Sequence, residues 1–432
     1  MSTPPPGADN AFDRHLIHYG FEFFPTLIES ARGAVVRDVD GREILDFTSG
    51  QMCATLGHNH PAIVAAVERA CRTALHLYSG MVSVPVVQLA EALAALLPEG
   101  LQRMMFLSTG GEANEACLRM AKLHTGRFEI VALTGSWHGM TAGAASSTYA
   151  AGHKGYGPAM PGSMALPAPN CYRCPIKHCR DRCDMACLDA GFATIDAQSV
   201  GSLAAVLAEP VLSSAGVIVP PPGYLARLKQ ECEKRGMLLI LDEAQTALGR
   251  LGANFAFEIF GVVPDILSLS KTLGCGLPIS AVVTSDAIEA DCAAKGLIHI
   301  TSHISDPLPA EVGVAVLRTL AEEAINARAL EMGAHLRRGL EALQEEFEAI
   351  GDVRGIGLLL GVELVKDRET REPNPELGRA VTRRCMELGL SMNIVSVGGL
   401  AAVWRVAPPP IITVEEIDRG LAILGQAMRE CS

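Results

Sequence analysis

Lys271 ends a short apolar run, Leu267-Ser268-Leu269-Ser270-Lys271, and a glycine-bearing turn, Thr272-Leu273-Gly274-Cys275-Gly276, follows it. An amine at the end of a buried strand is desolvated, which lowers its pKa and makes it a nucleophile toward a carbonyl carbon. That is the chemistry of a Schiff-base lysine. An isolated lysine at a strand end more often carries its amine out to solvent, so neighbouring groups must decide between the two.

Asp242 is one such group. Five apolar residues, Met237 to Leu241, run into Asp242-Glu243-Ala244-Gln245. The carboxyl end of a central parallel strand is where open α/β sheets bind ligands, and a carboxylate buried there requires a partner. A protonated ring nitrogen would serve, because the ion pair keeps a pyridinium charged and able to accept electrons. A guanidinium such as that of Arg250 would serve as well.

Ser108-Thr109-Gly110-Gly111-Glu112 links a strand to a helix. Glycines at such a turn let backbone N–H groups and the helix dipole face an anion, usually phosphate, although a plain Ser or Thr cap accounts for the same pattern. Trp137, bracketed by Gly135 and Gly139, is placed to lie against an aromatic ligand or simply to pack. Arg405 sits inside the apolar run Val403-Trp404-Arg405-Val406, where its planar fork calls for a carboxylate from the protein or from a substrate.

Of the thirteen cysteines, Cys171, Cys174, Cys179, Cys183 and Cys187 crowd into one segment. In a reducing compartment that density reads as a zinc or iron–sulfur site, or as a metal-free cysteine-rich loop. The rest are scattered and read as small buried hydrophobes.

These groups need a frame. From about residue 60 to 300, helical stretches (Ala62–Leu75, Val87–Leu97, Ala113–His124, Tyr224–Lys234) alternate with compact apolar runs (Met104–Leu107, Ile130–Leu133, Ala204–Ala208, Met237–Leu241, Ile266–Leu269). Strands that are apolar throughout imply a sheet covered on both faces. Residues 1–32 read as a polar arm with a short helix, and 34–47 as a hairpin about Asp40-Gly41. Pro309–Ile350 reads as one long helix. Strand-like pieces at Gly357–Leu364 and Val403–Val406 and a terminal helix from Val414 complete a separate α+β unit.

The chain has 432 residues, 49% hydrophobic and 19% charged, which is ample for a large domain and smaller ones. A formal charge of −12 without any basic cluster argues against a nucleic-acid partner. No apolar run reaches membrane-spanning length and the first residues lack a secretory pattern, so the expected location is the cytoplasm. No lysine follows a glycine and no histidine precedes a glutamate, which removes the phosphate-binding loop and zinc-protease signatures.

Together and in this order, the motifs resemble the class III (subgroup II) aminotransferases, fold-type I pyridoxal-phosphate enzymes that include the ornithine and 4-aminobutyrate aminotransferases. Within that family the likeness is greatest to the 2,2-dialkylglycine decarboxylases. It runs from about residue 14 to the end. It rests on Asp46-Phe47-Thr48-Ser49-Gly50-Gln51-Met52, Ser136-Trp137-His138-Gly139-Met140-Thr141, Leu239-Ile240-Leu241-Asp242-Glu243-Ala244-Gln245-Thr246, Leu269-Ser270-Lys271-Thr272-Leu273-Gly274, Ser305-Asp306-Pro307-Leu308-Pro309-Ala310 and Gly389-Leu390-Ser391-Met392-Asn393-Ile394-Val395.

The resemblance implies an α/β protein of pyridoxal-phosphate fold type I, with a mostly parallel seven-stranded sheet in a large domain and a smaller C-terminal α+β domain. The expected divisions are an arm, helix and hairpin over 1–60, the cofactor domain over 61–307 with a cysteine-rich insertion at 170–188, and the small domain over 308–432. Lys271 would hold pyridoxal 5'-phosphate as a Schiff base, Asp242 its ring nitrogen, Gln245 its ring hydroxyl, Gly110 and Gly111 its phosphate, and Trp137 would stack on the ring. Ser302 would reach the phosphate from the neighbouring subunit, so a homodimer or homotetramer is expected. Arg405 would grip the substrate carboxylate and Gln51 would hydrogen-bond the group that leaves.

The implied reaction is decarboxylation-dependent transamination of 2,2-dialkylglycines, such as 2-aminoisobutyrate, with pyruvate as amino acceptor. An ordinary aminotransferase, racemase or lyase acting on an amino acid with an α-hydrogen is the alternative. Leu77, Ser79, Ser302, Ile304 and Asp306 match the family's potassium or sodium site, with oxygen ligands suited to a hard cation. A second such site would use Ala94, Leu97, Pro98 and Leu101, but Leu97 stands where the family has a hydroxyl residue. The cysteine segment departs from the decarboxylase pattern.

Overall fold

The computed structural model describes residues 15–20, 23–24, 26–150, 155–176, 183–395 and 402–431. Its centre is a seven-stranded sheet. The strands are β4 (Arg103–Leu107), β5 (Glu129–Leu133), β6 (Ser163–Leu166), β7 (Leu203–Ala208), β8 (Leu238–Asp242), β9 (Ile266–Leu269) and β10 (Ser280–Thr284), following β1 (Ile28–Arg32), β2 (Val35–Asp38) and β3 (Glu43–Asp46) in the chain. Their order is β4-β10-β9-β8-β7-β5-β6. Neighbours from β9 to β6 are parallel, and only β10 runs antiparallel, between β4 and β9.

Every residue of β5, β7, β9 and β10 is buried, as a sheet covered on both faces requires. Side chains alternate along each strand, so Leu239, Leu241, Leu267 and Leu269 join one core. Ile240 and Ile266 point to the other, against Ala113, Cys117 and Ala121 of the Gly110–Thr125 helix. This parity also places Asp242 and Ser268 on the side of that helix.

The second sheet holds β11 (Ile350–Ile356), β12 (Leu359–Leu364), β14 (Asn393–Val395) and β15 (Val403–Val406), all antiparallel in the order β11-β12-β15-β14. Its core includes Leu360, Trp404 and Leu424 together with Leu45 and Phe47 of the N-terminal hairpin. The hairpin is joined to this part of the chain directly, since β3 pairs in parallel with β13 (Leu390–Ser391).

The short helix expected within residues 1–32 falls largely outside the described residues; that stretch closes with strand β1, which turns through Gly33 (φ 60°) to pair with β2. One sequence expectation requires correction. The single helix expected over Pro309–Ile350 is two, Pro307–Glu322 and Ile325–Glu346, separated by Ala324 in the left-handed region at φ 49°. No glycine or proline marks this break. It arises because the first helix packs with the Pro61–Thr73 and Val84–Ala94 helices while the second joins the small-domain core.

Candidate active site

Asp242 ends β8 beside Ser268 of β9, so it lies close in register to Lys271, which begins the turn just beyond β9. Its carboxylate is closed in by side chains. Oδ2 accepts from Asn114 Nδ2 at 2.7 Å and from His138 Nδ1 at 2.8 Å, and Oδ1 accepts from the Ala244 N–H at 3.0 Å. Asn114 is itself aligned by Ser268 Oγ, which donates to its Oδ1 at 2.7 Å, and by the His138 carbonyl. Burial pushes the Asp242 carboxyl up, but the hydrogen bond and charge of His138, the Ala244 N–H and the Lys271 amine outweigh it and hold the pKa below the usual carboxylate value. Arg250 does not pair with this acid. Its guanidinium is spent on the carbonyls of Leu358, Ala407 and Pro408 and on Thr55 Oγ1.

Lys271 is partly buried and sits at φ 45°, a strained backbone state for a non-glycine residue. Burial lowers its amine pKa and the Arg405 charge adds to the fall, against Asp242, Cys53 and Glu209. It therefore has the depressed basicity a nucleophilic amine needs. Gly110 and Gly111 open the Gly110–Thr125 helix, capped by Thr109 Oγ1 on the Glu112 N–H. Their amides have no carbonyl one turn back to bond. A methyl at Gly110 would meet nothing closer than Ser270 Cβ at 3.5 Å, so the fold itself does not demand glycine there, whereas close approach of an anion to the backbone does.

Trp137 lies two residues after Gly135 (φ 82°); its backbone N–H donates to Glu209 Oε1 at 2.9 Å and 40% of the residue stays exposed. Gln245 Oε1 is a buried oxygen with no hydrogen-bond partner among the described residues. These features fit pyridoxal phosphate: free amides for the phosphate, a buried acid for the ring nitrogen, an orphaned amide oxygen for the ring hydroxyl and an accessible indole.

Arg405 lies on β15 opposite Asn393 of β14. It is 5% exposed and donates to Ser213 Oγ at 3.3 Å and Asn393 Oδ1 at 3.1 Å, while its Nε has no partner. Among the described residues no carboxylate lies within ion-pair distance of it. Burial, aided by the Arg250 charge, brings its pKa down to about 10 against the pull of Glu209. Gln51 is exposed on a loop with Ser49, Gly50 and Met52 all at positive φ. Asp46 holds that loop by accepting from the Thr48 and Gly50 N–H groups and from His58. Gln51 lines one cavity of about 460 Å³ together with Asn393, the residue that accepts from Arg405.

Sequence reading missed His138, Asn114, Ser268, Glu209 and Ser213. The available signal was polarity at positions whose neighbours are apolar, as for Asn114 within a buried helix face.

Of the expected alkali-metal residues, Leu77 and Ser79 lie next to His76, and Ser302, Ile304 and Asp306 next to His303; Ser79 and Ser302 are exposed. The two segments meet at Asp306, whose two oxygens accept from His76 Nδ1 and His303 Nδ1, each at 2.6 Å. At the second such site, where Leu97 replaces the family's hydroxyl residue, the carbonyls of Ala94, Leu97 and Pro98 lie 3.4, 3.5 and 3.0 Å from Gln102 Nε2, so a neutral amide serves the helix end. Cys171 and Cys183 lie within hydrogen-bonding reach, with Cys174 and Cys187 close enough to raise the Cys171 pKa further. Cys179 lies outside the described residues.

Residues 19–428 match the family model for aminotransferase class-III. The chain is 48% identical over 420 residues to an uncharacterized aminotransferase of Schizosaccharomyces pombe, covering 97% of this chain and 94% of that one. It is 35% identical over 415 residues to a leucine/methionine racemase of Thermococcus litoralis, covering 94% and 91%. An aminotransferase structure from Bacillus anthracis superposes with a TM-score of 0.91 at 27% identity over 97% of each chain.

Proposed function

The chain belongs to the class-III aminotransferase family, with the pyridoxal-phosphate fold type I, and on that premise we propose that it transfers the amino group of an α-amino acid to a keto acid such as pyruvate and that Gln51 adapts it to the decarboxylating transamination of 2,2-dialkylglycines. The observation that carries the reading is Arg405, a buried guanidinium beside the lysine site without a carboxylate of its own. Its open Nε edge suits two-point contact with a substrate carboxylate.

Pyridoxal phosphate, when bound, supplies an electron sink that stabilises the carbanion formed as a bond to the substrate α-carbon breaks. Asp242 would hold the ring nitrogen, the amides of Gly110 and Gly111, joined by Ser302 of the partner subunit in a homodimer, would hold the phosphate, Gln245 would fix the ring hydroxyl and Trp137 would cover the ring. Arg405 would hold the substrate carboxylate and so orient the α-carbon, and Lys271 Nζ would move the proton at that carbon. Gln51 hydrogen-bonds the carboxylate that leaves.

A potassium or sodium ion at Leu77, Ser79, Ser302, Ile304 and Asp306 would brace the wall formed by the two segments that meet at Asp306. A second reading, racemisation of an amino acid with an α-hydrogen, is favoured by the similarity to the racemase.

Supplying 2-aminoisobutyrate with pyruvate and measuring carbon dioxide, acetone and alanine tests the decarboxylating reading, and absence of carbon dioxide eliminates it. The same assay with L-leucine and L-methionine separates transamination, seen as alanine, from racemisation, seen as loss of optical activity.

A further inference from the structure

We infer that His76, His303 and Asp306 form a binding site for one divalent ion of the zinc class, where the loop after the Pro61–Thr73 helix meets the turn that opens the Pro307–Glu322 helix. The inference concerns these three side chains and does not depend on which reaction the lysine site performs.

His76 Nδ1 lies 2.6 Å from Asp306 Oδ1, and His303 Nδ1 lies 2.6 Å from Asp306 Oδ2, so each imidazole addresses a different oxygen of one carboxylate. The three ligand atoms all fall within 4.8 Å of one another, and no other group of three or more His, Cys, Asp or Glu side chains among the described residues comes together in this way. The rings, 5.1 Å apart between centroids and tilted by 56°, converge through Nδ1 on the same acid. Ligand atoms about 2.0–2.2 Å from a tetrahedral ion stand roughly 3.4 Å apart, a spacing that small rotations of the two imidazoles supply.

The charge balance points the same way. Asp306 is 8% exposed, and among the described residues no lysine or arginine lies within ion-pair distance of it. A buried carboxylate calls for a positive partner. A neutral imidazole gives it a hydrogen bond but no charge, whereas an ion held between the rings gives both rings and acid a common centre. Each ring would keep its proton, moved from Nδ1 to Nε2, so that the Nδ1 lone pair faces the ion and no proton is lost.

The donor set selects the ion. Two imidazoles with one carboxylate suit zinc and its neighbours, while potassium and sodium prefer oxygen throughout. Three protein ligands leave one position open, and the His76 and His303 side chains are 52% and 65% exposed, the arrangement of an exchangeable ion, since structural zinc sites are closed. The turn is held ready for it. Ser305, between His303 and Asp306, donates its N–H to the Phe106 carbonyl of β4 at 3.0 Å, which pins two of the ligands to the central sheet. His76 stands 230 residues from Asp306 in the chain, so the ion would clamp two distant segments together.

The test is a calorimetric titration of the full-length, cofactor-loaded protein with zinc chloride, after metal removal, in tetramethylammonium chloride, because potassium or sodium at Asp306 would compete. About one zinc per chain is expected, with an absorption-edge spectrum fitted by nitrogen and oxygen at about 2.0–2.2 Å. H76Q and H303Q are each expected to weaken binding at least tenfold while keeping the circular dichroism of the folded chain. H335Q, which alters a histidine paired with Asp418 in the small domain, is expected to bind as the wild type does. Unchanged affinity in H76Q and H303Q would overturn the assignment. So would a wild-type edge spectrum dominated by sulfur at about 2.3 Å, a reading that does not depend on any variant folding.

Discussion

His138 Nδ1 donates to Asp242 Oδ2 across 2.8 Å, with both side chains shut away from solvent. The imidazole and Asn114 together hold Oδ2 of the acid, while Oδ1 accepts from the Ala244 N–H. Removing the imidazole in H138A leaves a buried carboxylate short of one charged hydrogen bond, at a cost of about 1–3 kcal/mol. The Asp242 pKa should rise and pyridoxal phosphate should dissociate roughly ten- to a hundredfold faster, read from the decay of its visible absorbance. Unchanged retention and activity would show that His138 plays no part in holding the acid.

Arg405 is the group on which substrate choice is expected to depend. The R405A variant should lower kcat/KM for α-amino acids by about 2 kcal/mol or more, roughly thirtyfold, and lysine should rescue it poorly because an ammonium lacks the fork. Amines without a carboxylate should react as before or better. Equal losses for both substrate types would remove Arg405 from carboxylate recognition.

Glu209 makes the site pH-sensitive. Burial and, more weakly, Asp242 push its carboxyl up to about 7, opposed by His138 and the N–H groups of Trp137 and Ser213. Its folded pKa lies above the ordinary 4.5, so the fold keeps a proton that the unfolded chain gives up. Stability from this group is present below about 4.5 and is lost as pH rises through about 7. Above that point its charge competes for Arg405 through Ser213, which bonds both. KM for the amino acid is expected to climb above pH 7, and a pH series on E209Q should lack that inflection.

Ala324 joins two helices at φ 49°. An L residue there carries about 1–2 kcal/mol of strain that glycine escapes. A324G is expected to raise stability by about 1 kcal/mol, read as a higher urea midpoint, with activity unchanged; a lower midpoint would mean that Ala324 is not strained.

Five of the seven strands of the large sheet were legible because each is a run of apolar residues bounded by turn chemistry; β6 and β10, each opened by a serine, were not. Lys271 and Asp242 stood out because each ends such a run. The helix break at Ala324 was hidden, since its residues favour helix and only the different partners of the two halves separate them. The antiparallel insertion of β10 was equally hidden: an apolar run carries no direction, and pairing decides it.

Residue type and order by themselves determined that an amine, an acid and a glycine turn would sit at strand and helix ends and that an arginine would sit within an apolar strand, because periodicity alone assigns those elements. Which acid met which partner was settled only by tertiary structure. Strand parity turned Asp242 and Ser268 toward Asn114, His138 arrived from another loop, and Arg250, an equal candidate on paper, was drawn to backbone carbonyls. Pairing between groups far apart in the chain depends on three-dimensional distance, and distance is set by packing.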